Sequence, residues 1–103
     1  MNEPVTPSNV AKPAANYALA MRSTGPTTWV HTSGVLGHRP DGSLPTTVGE
    51  QAAEMWRSIA AILEASGLAM TDIVQYTTYV VLGEDLHAVM VARDEALGDH
   101  LGQ

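Results

Sequence analysis

The order of apolar patterns along this chain of 103 residues predicts a single α+β domain, with two amphipathic helices on one face of an antiparallel sheet. Three observations carry that prediction. Two short β-favouring runs are joined by a Gly-Pro turn, one helix has clean three- and four-residue periodicity, and a later stretch is apolar on both strand faces. The expected order is strand, strand, helix, strand, helix.

Residues 1–16 carry Pro4, Pro7 and Pro13 among small and polar residues, and read as an extended arm rather than a folded element. Tyr17 to Arg22 (YALAMR) is a short apolar run closed by Ser23-Thr24-Gly25-Pro26, a turn signal. Thr27 to Val35 (TTWVHTSGV) is rich in β-branched and aromatic residues and reads as the second strand of a hairpin across Gly25-Pro26. Gly34 and Gly37 loosen its far end, and His38 to Pro45, with Pro40-Asp41-Gly42, forms a surface loop.

Thr47-Val48-Gly49-Glu50 fits a capping box, with Thr47 accepting from the backbone while Glu50 reaches back to it. Ala52, Met55, Trp56, Ile59, Ile62 and Leu63 then recur on one side, and Glu50, Glu54, Arg57, Ser58 and Glu64 fill the other. Gly67 stands where a left-handed residue ends a helix, so a helix is predicted from Val48 to Ser66.

Asp72 to Leu82 (DIVQYTTYVVL) predicts a third strand. Val74, Tyr76, Thr78, Val80 and Leu82 share one face, and the opposite face is nearly as apolar, the pattern of a strand covered on both sides. One cover can be the helices, and a second subunit is the expected source of the other. Gly83 ends the strand. Glu84 and Asp85 open a second helix with Leu86, Val89, Met90 and Leu97 facing inward and Gly98 after it. Three strands make a thin sheet for two helices, so one or two further strands are expected beyond Gln103.

Five basic residues against eleven acidic ones leave a net charge of -6. With a single lysine and four scattered arginines the chain lacks the cations that neutralise phosphates, so nucleic acid is not an expected partner. The absence of cysteine excludes disulfides, zinc–thiolate sites and a thiol nucleophile. The first sixteen residues lack the basic and apolar regions of a signal peptide, and no apolar run reaches the length of a membrane span. A cytoplasmic protein is the expectation.

Phosphate loops, HExxH pairs, GxSxG elbows and dinucleotide fingerprints are all missing, and spacing assigns no catalytic residue. His31 alternates with Val30 on a strand, His38 and His100 sit in polar loops, and His87 follows the opening of the second helix. None is spaced as a metal ligand. Glu84-Asp85 suits a helix N-terminus, and Asp94-Glu95 an exposed helix face beside Arg93. Thr32-Ser33-Gly34 sets a hydroxyl beside a glycine at a strand end, either satisfying its own turn or contacting a small ligand. Tyr17 is either a core aromatic or part of a site.

The colinear series Lys12-Pro13-Ala14-Ala15-Asn16-Tyr17, Trp29-Val30-His31-Thr32-Ser33-Gly34, Pro40-Asp41-Gly42-Ser43-Leu44-Pro45, the helix to Gly67, Asp72 to Val80 and Asp85 to Met90 resembles the Rid family. Also called YjgF, these are the reactive imine deaminases. The resemblance implies a chorismate-mutase-like two-layer subunit that assembles as a homotrimer with small-molecule clefts between subunits. It implies hydrolysis of small enamines or 2-imino acids to a 2-oxo acid and ammonia, without metal or organic cofactor. The implied substrate-binding positions are Tyr17, Ser33 and Gly34, which match the family, and Val35 and Met90, which depart from its usual Gln and Asn. The family's carboxylate-gripping arginine would fall just beyond Gln103, and Arg93 lies too early to replace it. A trimer that binds a small metabolite without catalysis is the alternative, favoured by the apolar Val35 and Met90.

Overall fold

The computed structural model describes residues 2–13, 18–24 and 28–98, apart from the side chains of Ser23 and Thr24. Three strands, β1 (Asn2–Val5), β2 (Ala20–Thr24) and β3 (Thr28–Thr32), form an antiparallel sheet in the order β1-β2-β3. Two helices follow, α1 (Val48–Ala65) and α2 (Leu86–Leu97), with a short 3-10 turn, Met70–Asp72, between them.

The hairpin of β2 and β3 pairs as expected, from Ala20 opposite Thr32 to Thr24 opposite Thr28, although its Gly25-Pro26 turn lies outside the described residues. The arm is partly a folded element: Asn2–Val5 pairs along β2, with Val5 opposite Ala20. Edge position reconciles this strand with Pro4, which need not donate to a ladder there. Directly opposed residues share a face, so Val5, Ala20 and Thr32 point one way and Pro4, Met21 and His31 the other. Val5 and Ala20 are buried while Met21 and Trp29 are exposed, so the first of these faces is the covered one.

That cover is α1. Ala61 and Ile62 cluster with Val5, Val10, Leu19 and Ala20, and Ile62 has no solvent exposure. On its other flank α1 gives Ala52 to a second cluster with Val89 and Ala92 of α2, joined by Val80. Both ends of α1 follow their sequence signals. The Glu50 amide donates to Thr47 Oγ1 at 3.2 Å. The Glu50 carboxylate takes the Thr47 hydroxyl at 2.9 Å rather than reaching the Thr47 backbone amide. At the C-terminus Gly67, with φ of 76°, donates to Glu64 and Leu68 donates to Leu63, the paired bonds of a Schellman ending.

Two further expectations are corrected. Asp72 to Leu82 is not a strand: after the 3-10 turn no residue through Val81 takes strand structure. β-branched and aromatic residues favour strands because they fit a pleated surface, and among the described residues no strand lies beside this segment. It is held through Val80 and an edge-to-face contact of Tyr76 with Trp56, ring centroids 5.2 Å apart, while Tyr79 and Leu82 are almost wholly exposed. On α2, Val89 and Leu97 are buried as expected, but Leu86 and Met90 are exposed and Ala92 is buried instead. Because α2 packs on α1 through Val89 and Ala92, its inner stripe is rotated from the one that apolarity alone suggests.

Ile62→Ala should lower the unfolding free energy by about 2–5 kcal/mol in urea denaturation, as deletion of a buried aliphatic side chain does. Leu82→Ala should change it by less than about 0.5 kcal/mol. A cost at Leu82 matching that at Ile62 would return the segment to the core.

Candidate functional site

Ser33, Gly34 and Val35 continue from β3 and are fixed against the stretch that leads into β2. The Ser33 amide donates to the Leu19 carbonyl at 2.9 Å, and its hydroxyl donates to the Ala18 carbonyl at 2.6 Å. A side chain at Gly34 would meet nothing within 4 Å, so the backbone there faces open space. Val35 packs against the sheet–α1 cluster. These residues begin one wall of a cleft of about 520 Å³, within the size range of small-molecule sites.

The cleft lies between the arm at 10–13, the strand end at 34–36 and the loop at 38–42, with Leu19 and Ser58 completing it. Each wall is tied down. The arm is held by Arg57, whose Nη1 donates to the Asn9 carbonyl at 3.0 Å. Arg39 and Ser43 close the loop by a backbone bond of 2.8 Å, and Gln51 Nε2 donates to the Pro45 carbonyl at 2.8 Å. Between loop and helix, Gly37 sits flush on α1. Any Cβ there would lie 2.9 Å from the Gln51 Cα and closer still to the Gln51 carbonyl, so only glycine permits the approach.

Within the loop, Asp41 Oδ1 accepts from the Ser43 amide at 2.9 Å and the Ser43 hydroxyl at 2.7 Å. These bonds, helped by the charge of Arg39, hold the Asp41 carboxyl below the usual carboxylate range despite a small opposing cost of desolvation. On α2 Arg93 hydrogen-bonds Asp94 at 2.9 Å, which holds its guanidinium above the ordinary value.

Of the positions expected to bind substrate, Gly34 and Val35 line the cleft. Ser33 adjoins it with its hydroxyl committed to Ala18. Met90 lies on α2, exposed and away from the cleft, and Tyr17 is outside the described residues, as is His100. His31 is an exposed residue stacked on Trp29, centroids 6.3 Å apart, and His87 is exposed. His38 differs from expectation: it is half-buried and lines the cleft. Asp85 caps α2, accepting from the Ala88 amide at 3.1 Å. Among the described residues no three His, Asp or Glu side chains are grouped to hold a metal ion, and no helix is long and apolar enough to cross a membrane.

Sequence reasoning missed Lys12, Asp41 and Ser58 as cleft residues. Ser58 was legible. It lies three and four residues before Ala61 and Ile62, on their stripe, and is buried with them rather than exposed. Lys12 and Asp41 carried no such signal, because only the loop closure brings them to one opening.

The depressed Asp41 value fixes a sign. Its bonds to Ser43 are present above the usual carboxylate range and are lost as pH falls through the lowered folded value. In an NMR pH titration the Ser43 amide should therefore titrate at lower pH than a free aspartate, and Asp41→Asn should abolish that step. A step at the free-aspartate value would remove the Ser43 contact from the account.

The model of the Endoribonuclease L-PSP family matches residues 8–102. Solved structures share the fold. Yeast Mmf1 is 20% identical, with a TM-score of 0.86 over 97% of this chain and 78% of its own. RidA from the Antarctic bacterium Psychrobacter sp. is 23% identical, with a TM-score of 0.83 over 94% of this chain and 77% of its own. The YjgF gene product of E. coli is 25% identical, with a TM-score of 0.82 over 95% of this chain and 76% of its own. No curated protein matches in sequence. An antiparallel sheet under two helices, a strand end opening onto a tethered loop, and a family match over nearly all its length together place this chain in the Endoribonuclease L-PSP family, the YjgF/RidA group.

Proposed function

We propose that this chain is a Rid-type hydrolase that converts small 2-imino acids to 2-oxo acids and ammonia, as a cytoplasmic homotrimer needing no metal or organic cofactor. The observation that supports this best is the placing of Gly34 and Val35 on an open cleft, in a chain matched to the family over residues 8–102. In the reaction, water adds across the C=N bond, the resulting carbinolamine loses its C–N bond, and nitrogen leaves as ammonia while the carbon keeps the oxygen. The exposed Gly34 backbone offers polar groups to the imine, and Val35 supplies an apolar wall. Ser33 is a positioning residue, holding Gly34 through its bond to Ala18. Tyr17 and Met90 complete the contacts when subunits assemble.

The uncovered sheet face, with Met21 and Trp29 exposed, is the surface this reading assigns to assembly. Ribonuclease action, which the family's name suggests, is disfavoured by the net charge of -6. A second reading, binding of a small metabolite without turnover, draws on the same geometry. The Ser33 hydroxyl is spent on a carbonyl and Val35 carries no polar group.

Ammonia release from 2-iminobutyrate, followed alongside light scattering, separates the two. The hydrolase reading predicts release well above the buffer rate from a particle of three chains. Release at the buffer rate, with a thermal shift in the presence of 2-oxo acids, would overturn it in favour of binding alone. A monomer at micromolar concentration would sink the assembly.

A further inference from the structure

We infer that the cleft within a single chain is a binding site for a zwitterionic amino acid with a large aliphatic side chain. Lys12 would hold its carboxylate, Asp41 would hold its ammonium, and the apolar walls would take its side chain. The inference concerns recognition rather than turnover, and its two charged groups lie outside the strand-end set, whose Val35 and Leu36 it shares as apolar wall.

Charge accounting comes first. Lys12 is the sole lysine, it is exposed, and among the described residues it has no carboxylate partner. The arginines are committed elsewhere: Arg39 to Ser43 and Glu50, Arg57 to Glu54 and Asn9, Arg93 to Asp94. Arg22 stands on the helix-covered face of β2 beside Val30, its Nε buried without a partner. Lys12 is therefore the one described lysine or arginine both on the cleft and uncommitted. Opposite in sign on the same cleft is Asp41, whose two bonds to Ser43 both use Oδ1 and leave Oδ2 for a ligand. Like any aspartate whose pKa is not raised, it is charged at neutral pH.

A cleft bearing one uncommitted cation and one fixed anion discriminates against simple anions and simple amines. Each leaves one rim charge without an opposite, whereas a zwitterion answers both. Size then selects within that class. A two-carbon ligand would leave most of the 520 Å³ to water, while Val10, Leu19, Val35 and Leu36 offer apolar surface for a branched or long side chain. Val10 and Leu19 are 7% exposed and Ser58 only 1%, so the inner surface is part of the core, which favours a ready-made pocket.

The test is a 1H–15N NMR titration of the whole chain with L-leucine, with 4-methyl-2-oxopentanoate (no ammonium) and with 3-methylbutylamine (no carboxylate). Leucine should shift the Val10, Leu19, Val35 and Leu36 amides saturably, and each truncated analogue should bind about tenfold more weakly. Lys12→Met should weaken leucine and the oxo acid about tenfold and leave the amine unchanged. Asp41→Asn keeps an acceptor for the Ser43 amide, so the loop stays closed; it should weaken leucine and the amine but not the oxo acid. Absence of shifts at these amides with millimolar leucine would overturn the site. Equal binding of leucine and the oxo acid, with Asp41→Asn silent, would overturn the zwitterion assignment. Leucine binding without ammonia release from 2-iminobutyrate would sink the hydrolase reading and leave this one standing.

Discussion

Ile62, without solvent exposure on α1, is the contact on which this small molecule turns. Beside Ala61 it meets Val5, Leu19 and Ala20 and so fixes the sheet against the helix. From the same helix Ala52 meets Val89 and Ala92, which places α2, and Trp56 meets Tyr76, which places the segment between the helices. A chain of about 100 residues has room for one modest core, and here the two apolar clusters among the described residues share a single helix. The cleft inherits that arrangement. Ser58 reaches it from α1, Gln51 holds its loop through Pro45, and Arg57 holds its arm through Asn9.

What could be read from the sequence follows the range of the forces involved. Both ends of α1 were legible because capping is local: Thr47 and Glu50 lie three residues apart, and Gly67 needs only its own φ to close the helix. The hairpin was legible for the same reason, its strands being neighbours in sequence. Asp72 to Leu82 misled because strand propensity reports a fit to neighbouring strands, and a partner's presence is not written in the segment itself. Asn2–Val5 failed in the opposite direction. Its prolines and polar residues hide an edge strand that exists because β2 offers it a ladder.

The candidate site was less legible than the fold. Ser33 and Gly34 emerged because a strand ending in Ser-Gly is a local pattern, and Val35 only through the family resemblance; Gly34 and Val35 stand on the cleft. Lys12, His38 and Asp41 join them only through long-range ties, chiefly the close seat of Gly37 on Gln51 and the Arg57–Asn9 bond. No periodicity or spacing carries such information. Met90 came only from the family resemblance, and within a single chain α2 presents it to solvent.

Function in this account depends on a cleft formed before any ligand arrives. Hydrogen exchange of the ligand-free protein tests that most directly. The amides of Ser33, Arg39 and Gly42 each donate to a backbone carbonyl of a cleft-forming segment. They should exchange far more slowly than an unstructured chain, with the Ser33 amide approaching the protection of α1. Exchange of all three at unstructured rates, beside a protected α1, would mean that the walls are not held and would contradict the account.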